Sequence, residues 1–458
     1  MPCDAFAPQR PCGLDVRSGS YTVQAVCLIE KLRGLAMKSL SEHPSDGHVR
    51  KRLFLIRAVA RAMVVLRDAW CVVGLCLVLW FALNGVTGWW LARPANLGEQ
   101  LLSSSAYRKA TRGVMPSSRD DFIRDVAATH DSPYQGTRLV WEPYVYWRNP
   151  PYQGKTIQVD ARGIRRTVQP PSRNRETPPI RIACFGGSTM WGTGVPDRQT
   201  IPSHLAQEIR DFDRPVEVTN LGQAGYVSTQ EFLALATRLR DFEPPEMVVF
   251  YDGFNDVGAG LSVGAGRAAN ELEMEANWQL LHHPRLERLL LRYIANTPVA
   301  IWFRPTANEA RRQRIERRLA TTDFQKLAQQ IAETYVGNLR CAAALCKNYG
   351  VRPLFILQPV IHTKRSLSAE EAAFIREHGS ATKLYRLAYQ QMRQTFASSE
   401  LPWVDLSGAF DDQQWQQQTV FFDACHVTGT GNAWIAAQIA PIVRAALSES
   451  LSESLSEK

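Results

Sequence analysis

The sequence predicts an α/β protein whose main domain holds a parallel β-sheet with helices on both faces. From residue 180 onward, short apolar runs alternate with longer stretches of helical periodicity. Short runs that are apolar throughout are typical of parallel strands buried on both faces. The predicted strands are residues 180–185, 216–219, 247–251, 351–357 and 403–406, and the predicted helices are residues 202–212, 228–241, 324–349, 369–398 and 428–447.

An uncharged stretch precedes this domain. Residues 69–92 carry no charged side chain and have tryptophans near both ends. Because about 20 apolar residues cross the hydrocarbon core, we predict a single transmembrane helix here. Basic residues are concentrated before this stretch, and Arg93 is the only close one after it. The positive-inside rule therefore predicts a cytoplasmic N-terminus and an extracytoplasmic main domain, which would be periplasmic in the inner membrane of a Gram-negative cell.

The segments around the main domain, residues 180–447, differ from it in composition. For residues 93–179 we predict a linker followed by a small β-rich module, because residues 141–167 are rich in aromatics, Pro and Gly and alternate in polarity. Residues 258–322 are too long for an ordinary connection and predict an insertion, either a lid over the site or an extra pair of packed helices. We predict that residues 1–68 form a disordered cytoplasmic tail and that residues 448–458 form a frayed low-complexity tail.

Charge and cysteine content limit the classes of function. The chain of 458 residues has a formal net charge of +9, but much of the excess lies before residue 70, without an aromatic-interleaved basic motif. We therefore predict no nucleic-acid binding. The nine cysteines lack metal-ligand spacing, which favours buried thiols over a metal site or a disulfide framework.

Four short motifs follow predicted strands or precede a predicted helix, where sites in parallel sheets form. Ser188 follows two glycines and can act as a nucleophile and, through its own N–H, as an oxyanion donor. Gly225 lies in a glycine turn that can expose a second backbone N–H, and Asn255 can supply a side-chain amide. His426 is the candidate base, and Asp423 can fix its tautomer from the same loop.

Several assignments within these motifs have competitors. Gly222 lies in the same turn as Gly225, so the backbone donor can be either one. Asp405 is a weaker candidate to orient His426, and Asp256 is expected to hold its loop rather than act as a base. Two further features, Cys425 and the pair His282-His283, are expected to be neither a second nucleophile nor a metal site.

These blocks resemble those of the SGNH hydrolases, also called the GDSL-like esterases and lipases. The resemblance covers residues 181–446, with Ser188, Gly225, Asn255 and the Asp423/His426 pair at the characteristic positions. It implies a three-layer α/β/α sandwich with a five-stranded parallel sheet, a Ser-His-Asp triad, and no cofactor or metal. One departure is Gly187, which stands where the GDSL name has Asp.

The sequence as a whole predicts a membrane-anchored, extracytoplasmic serine esterase. Residues 141–167 and the stretch FGGSTMWGTG resemble bacterial membrane-anchored members of this family. That resemblance implies that the substrate is an O-acyl ester, O-acetyl above all, on a small molecule or on envelope or exported polysaccharide. The same site could instead pass the acyl group to a sugar hydroxyl as an O-acyltransferase. A non-catalytic scaffold in polysaccharide assembly is a third hypothesis. A nucleotide-binding protein is disfavoured because no phosphate-loop Lys follows Gly186-Gly187.

Overall fold

The computed structural model divides the chain into two compact units, Met1–Ala92 and Arg93–Lys458. The structure describes residues 31, 47–91, 119–129, 139–171, 177–212, 214–269, 271, 274, 275, 278, 293, 294, 297–303, 313 and 316–456. The predictions for residues 1–30 and 32–46, for His282-His283, and for a lid formed by most of the insertion lie outside these residues.

The described part of the first unit is one long helix, α1 (Gly47–Leu91). Its segment Phe54–Trp89 is long and apolar enough to cross a membrane, and its apolar side chains are exposed rather than packed in a core. The expectation that residues 47–68 are disordered is wrong, because α1 begins well before residue 69. No Gly or Pro interrupts residues 48–73, so nothing in this basic segment breaks the helix.

The second unit is built on a five-stranded sheet of order β6-β5-β7-β8-β9. All four strand pairs are parallel, which confirms the predicted sheet. Two short antiparallel hairpins precede it. The strands are β1 (Val140–Glu142), β2 (Tyr146–Arg148), β3 (Tyr152–Gln153), β4 (Gln158–Val159), β5 (Ile180–Gly186), β6 (Val216–Asn220), β7 (Met247–Asp252), β8 (Arg352–Leu357) and β9 (Trp403–Asp405).

Helices cover both faces of this sheet and make the three-layer sandwich. The helices of the second unit are α2 (Arg119–Thr129), α3 (Ser188–Trp191), α4 (Ile201–Glu208), α5 (Ser228–Asp241), α6 (Phe254–Ser262), α7 (Pro298–Phe303), α8 (Phe324–Asn348), α9 (Ala369–His378), α10 (Thr382–Ala397) and α11 (Gly429–Ser456). Helices α5, α6, α8 and α10 pack together over one apolar core, and α4 packs against α11 over the other. Each core is closed by alternate side chains of the same strands.

Three helices depart from their predicted bounds. The helix predicted over residues 202–212 is α4, which ends four residues earlier, at Glu208. The stretch predicted as one helix over residues 369–398 is broken into α9 and α10 by a 3-10 turn at Gly379–Ala381. Gly379 is the C-cap of α9, and glycine, a poor helix former, favours a break at this point. The helix predicted to end at residue 447 runs to Ser456 as part of α11. Leucines at 447, 451 and 455 repeat every four residues, which is helical spacing.

The β-rich segment is packed into the second unit rather than standing apart from it. Arg165 forms antiparallel bridges to Val159 of β4 and to Asn220 of β6, so its backbone joins the hairpin to the edge of the main sheet. Nearby, the Trp147 indole donates to the carbonyl of Ala224 at 2.8 Å. The segment therefore contacts the loops that follow β5 and β6, where the predicted site lies.

Candidate active site

Ser188 lies at the carboxyl end of the central strand β5. It is the first residue of α3, so its backbone N–H has no partner within that helix. Its side chain is partly exposed, and its Oγ lies 2.8 Å from Nε2 of His426. The sequence-predicted nucleophile and base, which are 238 residues apart, therefore meet in one hydrogen bond.

Asp423 completes this hydrogen-bonded chain from the loop between β9 and α11. Its Oδ2 lies 2.6 Å from His426 Nδ1, and its Oδ1 accepts the backbone N–H groups of His426 and Cys425. Burial alone would raise the pKa of Asp423, but the His426 charge and these hydrogen bonds lower it below its usual value. Asp423 is therefore ionised at neutral pH. The Phe422 ring stacks on the imidazole and further restricts its orientation.

The Asn255 side chain lies directly beside Gly187, in the turn that carries Ser188. Its Nδ2 donates one N–H to the Tyr226 carbonyl at 2.8 Å, and an amide nitrogen carries a second. A Cβ built on Gly187 would lie 2.3 Å from this nitrogen. Gly187, the departure from the GDSL name, therefore gives Asn255 the space to reach the vicinity of Ser188.

The structure distinguishes Gly222 from Gly225, the two candidates for the backbone oxyanion donor. The Gly222 N–H donates to the Asn220 side chain at 3.0 Å, and a Cβ there would meet the Trp191 backbone nitrogen at 2.4 Å. Gly222 is thus a close-packing position whose donor is already used. Gly225 has φ = 74°, a left-handed conformation that favours glycine, and is partly exposed. These facts favour Gly225 over Gly222 as the oxyanion donor.

The weaker candidates lie in other environments. Asp405 accepts the backbone N–H of Ser407 and faces Arg393, whereas the Nδ1 of His426 lies against Asp423. Asp256 is buried and accepts from the backbone and hydroxyl of Ser228, which is the loop-holding role expected for it. Cys425 is buried beside the imidazole, with Sγ 3.8 Å from Nδ1, and burial raises the pKa of its thiol well above the usual value.

Arg165, which the sequence did not single out, holds the segment that follows Ser188 and α3. Its side chain is fully buried and forms an ion pair with Asp197 at 2.9 Å. The guanidinium also donates to the carbonyls of Trp191, Gly192 and Val195 and lies over the Trp191 ring. Its neighbours Arg162 and Arg166 are exposed, so no local pattern distinguishes Arg165 in the sequence.

We expect Gly187→Ala to lower kcat by about 10²–10³-fold, because its methyl group would displace the amide of Asn255. Asn255 is a predicted oxyanion donor, and the loss of one such donor typically costs that much. Steady-state kinetics on an aryl acetate would measure the loss. Gly337→Ala is the matched control, since nothing lies within 4 Å of a Cβ there. Equal kcat values for the two variants would show that Asn255 does not need this space.

Comparison with known proteins gives matches at the level of structure. No family model matches the chain, and no curated protein matches its sequence. Three of the similar solved structures are a carbohydrate acetylesterase family member from Sinorhizobium meliloti, an acetyl xylan esterase called AlAXEase, and a putative lipolytic protein of the G-D-S-L family from Desulfitobacterium hafniense DCB-2. Their sequence identities are 12%, 13% and 9%, and their TM-scores are 0.34, 0.35 and 0.32. They cover 58%, 58% and 57% of this chain, which covers 99%, 100% and 99% of theirs.

Proposed function

We propose that the protein is a membrane-anchored serine esterase that hydrolyses O-acyl esters. The observation that carries this proposal is the continuous chain Ser188–His426–Asp423, with distances of 2.8 Å and 2.6 Å, at the carboxyl edge of the sheet. All three side chains are partly exposed, so a substrate can reach them. A non-catalytic scaffold has no need for a hydroxyl, an imidazole and a carboxylate in this order.

In the proposed reaction, the Ser188 Oγ attacks the ester carbonyl carbon while His426 Nε2 takes its proton. Asp423 holds the Nδ1–H tautomer and stabilises the imidazolium that forms. The imidazolium then gives the proton to the leaving alcohol, and an acyl-serine remains. Water attacks this acyl group with His426 again as the base, which releases the acid and restores Ser188.

Three donors are proposed to stabilise the oxyanion of the tetrahedral intermediate. They are the backbone N–H groups of Ser188 and Gly225 and the second N–H of Asn255 Nδ2. A donor of this kind typically contributes about 3–4 kcal/mol to lowering the barrier, because it is already oriented before charge develops. The close approach of the Asn255 amide to Gly187 supports this arrangement, and the hydrogen bond to the Tyr226 carbonyl fixes the amide beside Ser188.

The proposed substrate is an O-acetyl ester on a cell-envelope or exported polysaccharide. This class follows from the resemblance described above and from the apolar helix, whose basic N-terminal flank predicts an extracytoplasmic active site. Incubation with an acetylated oligosaccharide and an unacetylated acceptor would separate free acetate, the product of hydrolysis, from transferred acetyl.

The direct test is reaction of the detergent-solubilised full chain with a fluorophosphonate, followed by intact mass spectrometry. We expect one adduct on the wild-type protein and none on Ser188→Ala, because only an activated serine reacts. Circular dichroism would check that the variant keeps its fold. An unlabelled wild-type protein, or an adduct that survives in Ser188→Ala, would contradict the proposal.

A further inference from the structure

Three carboxyl groups are buried together behind Asn255. Glu231 belongs to α5, Asp252 ends β7, and Asp256 lies in the first turn of α6; their exposures are 1%, 2% and 4%. The proposed mechanism uses none of them. Three ionised carboxylates buried this close together would be strongly unfavourable. At least one of the three carboxyl groups should therefore carry a proton.

Three oxygens in this cluster have no hydrogen-bond donor in the described structure. They are both Oε atoms of Glu231 and the Oδ2 of Asp252. The two carboxyl groups nevertheless lie within hydrogen-bonding reach of each other. Because ionised carboxylates only accept hydrogen bonds, neither can satisfy the other unless one of them carries a proton. A proton on Glu231 would turn two unsatisfied oxygens into one O–H···O bond.

The surroundings favour that proton. The Tyr335 hydroxyl of α8 already donates to Asp252 Oδ1, so Asp252 has one oxygen satisfied as an anion. Among the described residues, the other titratable groups that interact with this pair are Asp256, Tyr335 and Tyr389 of α10, and none of them is a cation. Burial, the Asp252 charge and the Asp256 charge raise the pKa of Glu231 well above its usual value. Burial and Asp252 likewise raise the pKa of Asp256 to about 7.

The cluster lies between two segments of the proposed site: the loop that carries Gly225, which leads into α5, and the start of α6, which carries Asn255. Asp256 accepts from Ser228 at the start of α5, and Asn255 donates to Tyr226 two residues before that helix. Glu231 and Asp252 join the same two segments, one turn further along α5. The contacts in this cluster therefore determine how the loop carrying Gly225 is placed relative to the side chain of Asn255.

We propose that Glu231 and Asp252 share one proton, and that this bond makes Glu231 a positioning residue for the two oxyanion donors Gly225 and Asn255. The positioning role rests on the proposed esterase function, whereas the shared proton does not. The shared proton is lost as pH rises through the raised pKa of Glu231. At alkaline pH the bond between Glu231 and Asp252 is then broken, and Gly225 and Asn255 are held less firmly. The wild-type kcat should decline there for a reason unrelated to His426.

The first experiment looks for the proton itself in the full chain. The infrared spectrum of the wild type should contain the carbonyl stretch of the protonated Glu231–Asp252 pair, and the difference spectrum between the wild type and Glu231→Gln should show the loss of this band. Spectra are recorded above pH 7, because Asp256, whose pKa is raised to about 7, then contributes less to the band. Glu333→Gln is the matched control, because Glu333 is exposed on α8 and its loss should leave the band in place. A wild-type band that is not reduced in Glu231→Gln, or no band in the wild type, overturns the shared proton whether or not the protein is an esterase.

The second experiment compares kcat and KM of Glu231→Gln and Glu231→Ala across pH. The glutamine amide can donate permanently to Asp252, so this variant should keep the wild-type kcat and lose the alkaline decline. Alanine cannot donate, so kcat should fall about tenfold, less than for the loss of a whole oxyanion donor, with KM unchanged. If Glu231→Ala fails to fold, the pH profile of Glu231→Gln decides alone. A Glu231→Gln profile that keeps the wild-type alkaline decline overturns the positioning role.

Discussion

Replacing Asp423 with asparagine is expected to lower kcat by about 10⁴-fold, the loss typical of a triad that loses its carboxylate. An asparagine oxygen could still accept from Nδ1, but an amide carries no charge to stabilise the imidazolium and can instead donate to Nδ1 and favour the wrong tautomer. Asp423 is held ionised by a lowered pKa. Its interaction with His426 is therefore present above the carboxyl's ordinary titration range and is lost only as pH falls through the lowered pKa.

Asp405→Asn is the matched control for this prediction. Asp405 also follows a strand of the sheet, but it accepts from Ser407 and faces Arg393 rather than His426. Its loss should leave kcat close to the wild-type value in steady-state assays near neutral pH. If instead Asp405→Asn lost activity and Asp423→Asn kept it, the weaker of the two orienting candidates would be the true one.

Replacing Arg165 with methionine is expected to lower the free energy of unfolding by about 3–5 kcal/mol, because it leaves the buried Asp197 carboxylate without its partner. Methionine fills much of the arginine stem's volume, so the loss comes from charge and hydrogen bonds rather than from a cavity. The carbonyls of Trp191, Gly192 and Val195 lose the hydrogen bonds from Arg165 at the same time, although those of Trp191 and Gly192 keep a bond from Asn220 and from the Val195 N–H. Denaturant unfolding of the full chain in detergent, followed by tryptophan fluorescence, would measure the change.

Arg166→Met gives the control for Arg165→Met, since Arg166 is exposed and makes one side-chain bond, to Gln158. Its effect should stay within about 0.5 kcal/mol, as for most surface substitutions. Adding Asp197→Asn to Arg165→Met should recover part of the lost stability, because the unpaired charge is removed. Equal unfolding free energies for Arg165→Met and Arg166→Met would contradict a structural role for the buried ion pair.

The sheet could be predicted from the sequence because its strands are apolar on both faces and therefore appear as uninterrupted runs. The positions of Ser188 and Asn255 could be predicted with them, since each residue comes directly after such a run. The loop of Asp423 and His426 could be identified because it directly precedes the last helix. In each case the signal lies within a few residues of the functional group.

Residues that act through distant contacts could not be predicted. Arg165 bonds to residues 26–32 positions away, and its basic neighbours conceal it. Glu231 sits in a helix whose pattern gives no sign that its carboxyl group meets Asp252. The early start of α1 was missed for another reason: its basic and apolar halves read as different segments, whereas a backbone without Gly or Pro continues as helix through both.

The Arg165 contacts also bear on which parts of this chain can be inherited or exchanged as a unit. A gene fusion that kept residues 180–447 and replaced everything before them would retain all five of the proposed catalytic and oxyanion residues. It would nevertheless leave Asp197 buried without a counter-charge and the turn after Ser188 without its donors. Recombination that preserves function should therefore break the chain before the hairpins, so that the hairpins and the sheet pass on together.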